Sequence, residues 1–94
     1  MRPYEMMVIL QPAMEDHSAE VKEIEGLITR LGGELTKTEP WGKRKLAYEI
    51  DKLTEGYYAV FTFNFAPEQM TELNRLMKLR ANVVRQLTVA LDEE

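Results

Sequence analysis

Side chains able to perform covalent or acid–base chemistry are scarce in this sequence. There is no cysteine and a single histidine, His17, which excludes a thiol nucleophile, a Cys-based zinc site and a disulfide framework. His17 stands beside Asp16 where a helix is expected to begin, and a histidine at a polar helix start is ordinarily solvated. Carboxylates are abundant, but Glu20, Glu23 and Glu25 flank an apolar stripe and read as the solvated side of a helix. No glycine-rich phosphate loop, nucleophile elbow or paired-histidine motif occurs. Enzymatic activity, a metal, a cofactor and a small-molecule substrate are therefore not expected.

The chemistry that the residues do support is attraction of phosphate. Twelve Lys and Arg stand against sixteen Asp and Glu, for a net charge of −4, yet the cations are bunched. Lys43-Arg44-Lys45 is one cluster, and Arg75, Lys78, Arg80 and Arg85 form a second stretch with no acid between Arg75 and Arg85. Bunched cations attract phosphate oxygens and make binding sensitive to salt. The plainer role for both groups is to solvate a loop and to offset the negative end of a helix near Leu79. Aromatic residues stand close by: Trp41 precedes Lys43, Tyr48 follows Lys45, and Tyr4 lies near Arg2 and Pro3. Rings beside cations can stack on bases, whereas a tryptophan beside a turn also commonly folds back as packing.

These residues must be positioned by a small framework. The length and 45% hydrophobic content predict one domain over 1–94, enough for a single core. The apolar run Met6–Leu10 is too short to cross a bilayer and the first five residues lack the apolar stretch of a signal peptide, so a soluble chain with no visible export signal and no membrane partner is expected. Tyr4 to Leu10 predicts a strand stopped at Gln11-Pro12. Val21, Ile24, Leu27, Ile28 and Leu31 are spaced for one helical face, with Asp16 or Ser18 as cap and Gly32-Gly33 as the end. Gly26 is a weak point within that helix. Leu35 to Thr38 and Leu46 to Ile50 predict one long edge strand bent at Pro40-Trp41-Gly42, since Pro40 cannot donate to a ladder. Gly56 is read as a turn. Tyr57 to Phe65 then alternates, with Ala59, Phe61, Phe63 and Phe65 toward a core. Pro67 suits the first position of a second helix carrying Met70, Leu73, Leu76 and Met77. Val83 to Leu91 predicts a last strand, with the faces of Val84 and Arg85 left open.

Strand, helix, two strands, helix, strand is a duplicated split βαβ order: an α+β sandwich of a four-stranded antiparallel sheet with both helices on one face. Right-handed crossovers put the first and third strands in the centre. Met7, Ile9, Tyr58, Val60 and Thr62 then line a face that no helix covers, and uncovered apolar area invites a partner. The run Gly56-Tyr57-Tyr58-Ala59-Val60-Phe61-Thr62-Phe63 is similar to the aromatic third-strand motif of RNA-recognition domains. Glu55 stands where that motif is basic, Tyr58 where it is small, and the phenylalanines face the core, so an exposed base-stacking sheet is the lesser expectation.

Met1-Arg2-Pro3-Tyr4-Glu5 leading into a strand that ends at Leu10-Gln11-Pro12, the Gly32-Gly33 helix end, Trp41-Gly42-Lys43-Arg44-Lys45-Leu46-Ala47-Tyr48-Glu49-Ile50, Gly56-Tyr57-Tyr58 and Asn82-Val83-Val84-Arg85 occur in order along the chain. This series resembles the S6 family of bacterial small-ribosomal-subunit proteins over essentially the full length. The resemblance implies a ferredoxin-like βαββαβ domain, a structural constituent of the small subunit that binds its ribosomal RNA in the central platform region together with ribosomal protein S18. It implies RNA contacts at Arg2, Tyr4, Lys43, Arg44, Lys45, Arg80 and Arg85. It implies a protein-partner surface at Leu46, Tyr48 and Ile50 of the edge strand with Met7, Ile9, Tyr58 and Val60 of the open face. Two departures from the family pattern stand out: Asp51 replaces a basic or small polar residue, and the tail after the last strand is short. An acidic chain is a poor lone binder of a polyanion, so help from a basic partner is expected. The competing expectation is a self-associating or small-molecule-sensing ferredoxin-like module, but Gln11-Pro12-Ala13 is not the glycine-rich ligand loop such a module would favour.

Overall fold

In the computed structural model, which describes residues 1–50 and 52–92, period-two alternation becomes a four-stranded sheet and three-and-four spacing becomes two helices. The sheet holds β1 (Arg2–Leu10), β2 (Glu34–Ile50), β3 (Leu53–Phe65) and β4 (Val83–Ala90) in the order β2-β3-β1-β4. All neighbours are antiparallel, so β1 and β3 are central and the Pro40-containing strand is an edge, as its missing N–H requires. Asp51, Glu93 and Glu94 lie outside the described residues, and with them the Asp51 departure and most of the acidic tail.

Helix α1 (His17–Arg30) begins where Asp16 accepts the Ala19 N–H at 3.2 Å and the Ser18 hydroxyl at 2.6 Å. The Ser18 hydrogen bond, then the backbone bond, hold the Asp16 carboxyl below its ordinary range. The helix ends at Gly32, whose φ of +91° lets the Gly33 N–H reach the Ile28 carbonyl at 2.9 Å. Pro67 opens a short 3-10 turn (Pro67–Gln69) that leads into α2 (Met70–Leu79).

Between the helices and one face of the sheet sits the core. Tyr4, Met6, Val8 and Leu10 of β1 and Ala59, Phe61, Phe63 and Phe65 of β3 meet Val21, Ile24, Leu27 and Ile28 of α1 and Leu73 and Met77 of α2. Each large apolar side chain sealed here contributes about 1.5–3 kcal/mol. The Phe63 and Phe65 rings meet edge-on at 5.5 Å and 86°.

Two local readings change. Gly56 is not a turn but a buried residue inside β3; the chain reverses between Ile50 and Leu53, where Lys52 takes a φ of +67°. A Cβ at Gly56 would stand 2.5 Å from Ile9 Cγ2, so the glycine permits close strand approach. At the start of β4, Leu10 pairs with Val83 and Ile9 with Arg85, which makes Val84 the extra residue of a bulge and puts Arg85 on the face of Ile9.

Candidate nucleic-acid interface

Directly opposed residues share a face, so the register assigns the surface away from the helices. It carries Glu5, Met7 and Ile9 from β1, Tyr58, Val60 and Thr62 from β3, and Arg85, Leu87 and Val89 from β4. Leu87 is 56% exposed and Val89 43%. Neither was singled out by sequence as a partner contact. The signal was present: Leu87 and Val89 alternate out of phase with any core-facing residue, and the antiparallel register carries Leu87 to Met7.

The open face is partly roofed by the chain itself, from the strand side. The last third of β2 curls over it, and Leu46, Tyr48 and Ile50 share a small cleft of about 130 Å³ with Met7, Ile9, Tyr58 and Arg85. Arg85 Nη1 donates to Tyr48 Oη at 3.0 Å, tying the curl to β4. Ile9 and Val60, expected to meet a protein partner, are already buried. Met7, half-buried, and Tyr48, exposed, remain within reach.

The cluster at 43–45 lies on this arm. Lys43 faces Tyr57, Arg44 faces Gly56 and Lys45 faces Glu55 across the β2–β3 ladder. Alternation therefore sends Arg44 to the open face and Lys43 and Lys45 to the other, so the arm presents cations on both sides. Among the described residues none of the three joins an ion pair. Just before them, Pro40 opposes Ala59 and Gly42 opposes Tyr58, which leaves Trp41 as the unpaired residue of a bulge, with Gly42 at a φ of +83°. The Trp41 ring stacks on Tyr58, with centroids 6.4 Å apart and planes 13° from parallel. The Arg44 guanidinium carbon lies over the indole, 5.4 Å from its centroid.

The second basic stretch is divided: carboxylates occupy Arg75 and Arg80, while Lys78 and Arg85 join no ion pair among the described residues. Arg75 holds Glu72 through bonds of 2.9 and 2.7 Å. Arg80 donates to Glu20 at 2.6 and 3.3 Å, with Glu23 at 3.8 Å. Glu20, read by sequence as solvated, is buried to 8% exposure by this pairing across α1 and the end of α2. Arg80 is thus a cation whose Nε and Nη2 donors are directed at carboxylates. Tyr4 also departs from its expected place: its ring packs in the core beside Phe63, at 6.1 Å between centroids, and offers no face to a base. Arg2 is exposed but clamped by two 3.0 Å bonds to Asp92, and this hydrogen bonding holds the Asp92 carboxyl below its ordinary range. His17 is half-buried: its ring stacks on Tyr57 at 4.1 Å, and Nε2 lies 2.9 Å from the Gln11 carbonyl oxygen.

Among the described residues no three His, Asp or Glu side chains gather to hold a metal ion, and no helix is long and apolar enough to cross a membrane. The βαββαβ order, the central pair β1 and β3, and two helices on one face define a ferredoxin-like α+β domain. The model of the family described as Ribosomal protein S6 matches residues 3–90. Small ribosomal subunit protein bS6 of Carboxydothermus hydrogenoformans is 42% identical, covering 99% of each chain. Its counterpart in Caldanaerobacter subterraneus subsp. tengcongensis is 40% identical, over 99% of this chain and all of that one. A crystal structure of 30S ribosomal protein S6 from Thermotoga maritima superposes with a TM-score of 0.87 at 33% identity, covering 95% of this chain and 86% of that chain. The chain belongs to the ribosomal protein S6 family. Its role is accordingly that of a structural constituent of the small ribosomal subunit in the cytoplasm, and not that of an enzyme.

Proposed function

We propose that the chain binds small-subunit ribosomal RNA in the central platform region, and does so cooperatively with ribosomal protein S18. The observation that carries this reading is the separation of two surfaces on one sheet. Lys43, Arg44 and Lys45 form an arm of cations, unpaired among the described residues, at the β2 edge, while Met7, Leu87 and Val89 leave apolar surface in water toward the β4 edge. Cations without carboxylate partners can exchange counterions for phosphates; apolar side chains out of phase with the core gain by being covered.

Arg85 joins the RNA surface or the partner surface by exchanging its Tyr48 bond, and Arg2 joins after release from Asp92. Arg80 and Tyr4 act from within the fold, by holding α1 against the end of α2 and by filling the core. S18 covers Met7, Tyr58 and the curl at Leu46, Tyr48 and Ile50, together with Leu87 and Val89. Because the protein is acidic as a whole, its RNA affinity alone is low and rises when a basic partner is seated beside the arm.

Binding of a central-domain rRNA fragment, measured with this chain, with S18 and with the mixture, tests the proposal. The mixture should bind more tightly than either protein. Equal affinity with and without S18 would contradict the cooperative reading, and a tight homodimer on sizing would favour the self-associating alternative by occupying the same face.

A further inference from the structure

Trp41, the sole tryptophan of the chain, keeps 46% of its surface in water although it stacks on Tyr58. Packing against the sheet therefore accounts for only part of its area. It is the unpaired bulge residue of edge strand β2, and its stack on Tyr58 places the ring on the open face, two strands away from Leu87 and Val89 of β4 at the opposite edge. Tyr58 holds the indole within 13° of its own plane, and Arg44, which has no ion-pair partner among the described residues, lies over the ring.

We infer that Trp41, propped on Tyr58 and flanked by Arg44, is a stacking platform for an unpaired nucleobase, so that the arm engages a single-stranded or bulged nucleotide as well as phosphate. The inference rests on the RNA-binding reading and adds to it the kind of RNA recognised. A ring already fixed in orientation loses little freedom when a base stacks on it, and every base has a π-face, so such a platform is tolerant of sequence. The guanidinium beside it can share the stack or donate to the phosphate of the same nucleotide. Arg44, the cation of the arm that shares the face of Trp41, favours a phosphate-bearing ligand over an apolar protein side chain.

The sole tryptophan makes the test direct. The full chain is titrated at low salt, with and without S18, with an oligoadenylate strand, a fully paired RNA duplex and the central-domain rRNA fragment, following Trp41 emission and affinity. The single strand and the rRNA fragment should quench Trp41, and the duplex should leave it nearly unchanged. Trp41→Leu should weaken binding of the rRNA fragment about tenfold without altering the salt slope, since a lost stack releases no counterions. Trp41→Phe should recover most of that loss, which a defect in folding would not allow.

Undiminished affinity in Trp41→Leu, while Arg44→Ala weakens binding, would overturn the inference and leave the RNA-binding reading standing. Equal quenching by duplex and single strand would also overturn it. So would full shielding of Trp41 from acrylamide by S18 without RNA, which would give the exposed indole to the protein partner. Absence of RNA binding under every condition would remove the underlying reading itself.

Discussion

Glu20 and Arg80 stand sixty positions apart and meet at 2.6 Å, with Glu20 nearly sealed from water. A charged hydrogen bond in such a place matters mainly through what its loss leaves behind. Glu20→Gln should destabilise the domain by about 1–3 kcal/mol in urea unfolding, because the amide keeps one acceptor but loses the charge and turns an NH2 toward the Arg80 guanidinium. Glu23→Gln, with its partner bond exposed, should cost no more than about 1 kcal/mol; equal effects from both would mean that the buried pair is not the structural one. The Arg2–Asp92 clamp is exposed, and its consequence is a pH dependence. Hydrogen bonding to Arg2, and then its charge, lower the Asp92 carboxyl. A group lowered in the folded state adds stability that is present above the unfolded value, about 3.9, and lost as pH falls through the folded one. Asp92→Asn should therefore flatten part of the acid side of the stability profile while leaving its neutral slope unchanged.

At the scale of elements, phase was legible and local geometry was not. The faces of α1 and of Tyr57 to Phe65 follow from periodicity, because a side chain's direction along a regular element is fixed by its number. Pro40 marked an edge because it lacks a donor. Gly56 misled, since a glycine that opens a turn and one that lets two strands approach look alike in sequence. The two can be separated by substitution: Gly56→Ala should destabilise by about 1–3 kcal/mol through its 2.5 Å approach to Ile9. Gly26 is the converse case. An added Cβ meets only Arg30 Nη1, at 3.5 Å, so Gly26→Ala should stabilise α1 by about 0.5–1 kcal/mol and raise the Tm by a few degrees. A loss of stability there would show that the helix needs its glycine for packing.

For the whole molecule, net charge is a poor guide to which surface meets a polyanion. The two basic stretches looked alike in sequence, yet Arg75 and Arg80 are occupied by Glu72, Glu20 and Glu23, and the arm at 43–45 meets no carboxylate among the described residues. Neutralising the arm by Lys43→Ala, Arg44→Ala and Lys45→Ala together should reduce the salt slope of rRNA binding by about 2–3, with the thermal midpoint little changed. An unchanged slope would remove the arm from the RNA interface.

Spacing by itself determined the element order, the central pair of strands and the core face, because periodicity and strand connection rules act through sequence position alone, while the family was legible only in the resemblance of its motif series. Tertiary structure decided which cations are ion-paired among the described residues, that Tyr4 is interior, that β2 curls over its own sheet, and that Trp41 stacks on Tyr58 beside Arg44 with part of its ring in water. The reason is distance: ion pairing and ring stacking depend on separations of a few ångströms between residues far apart in number, and only the folded chain fixes those separations.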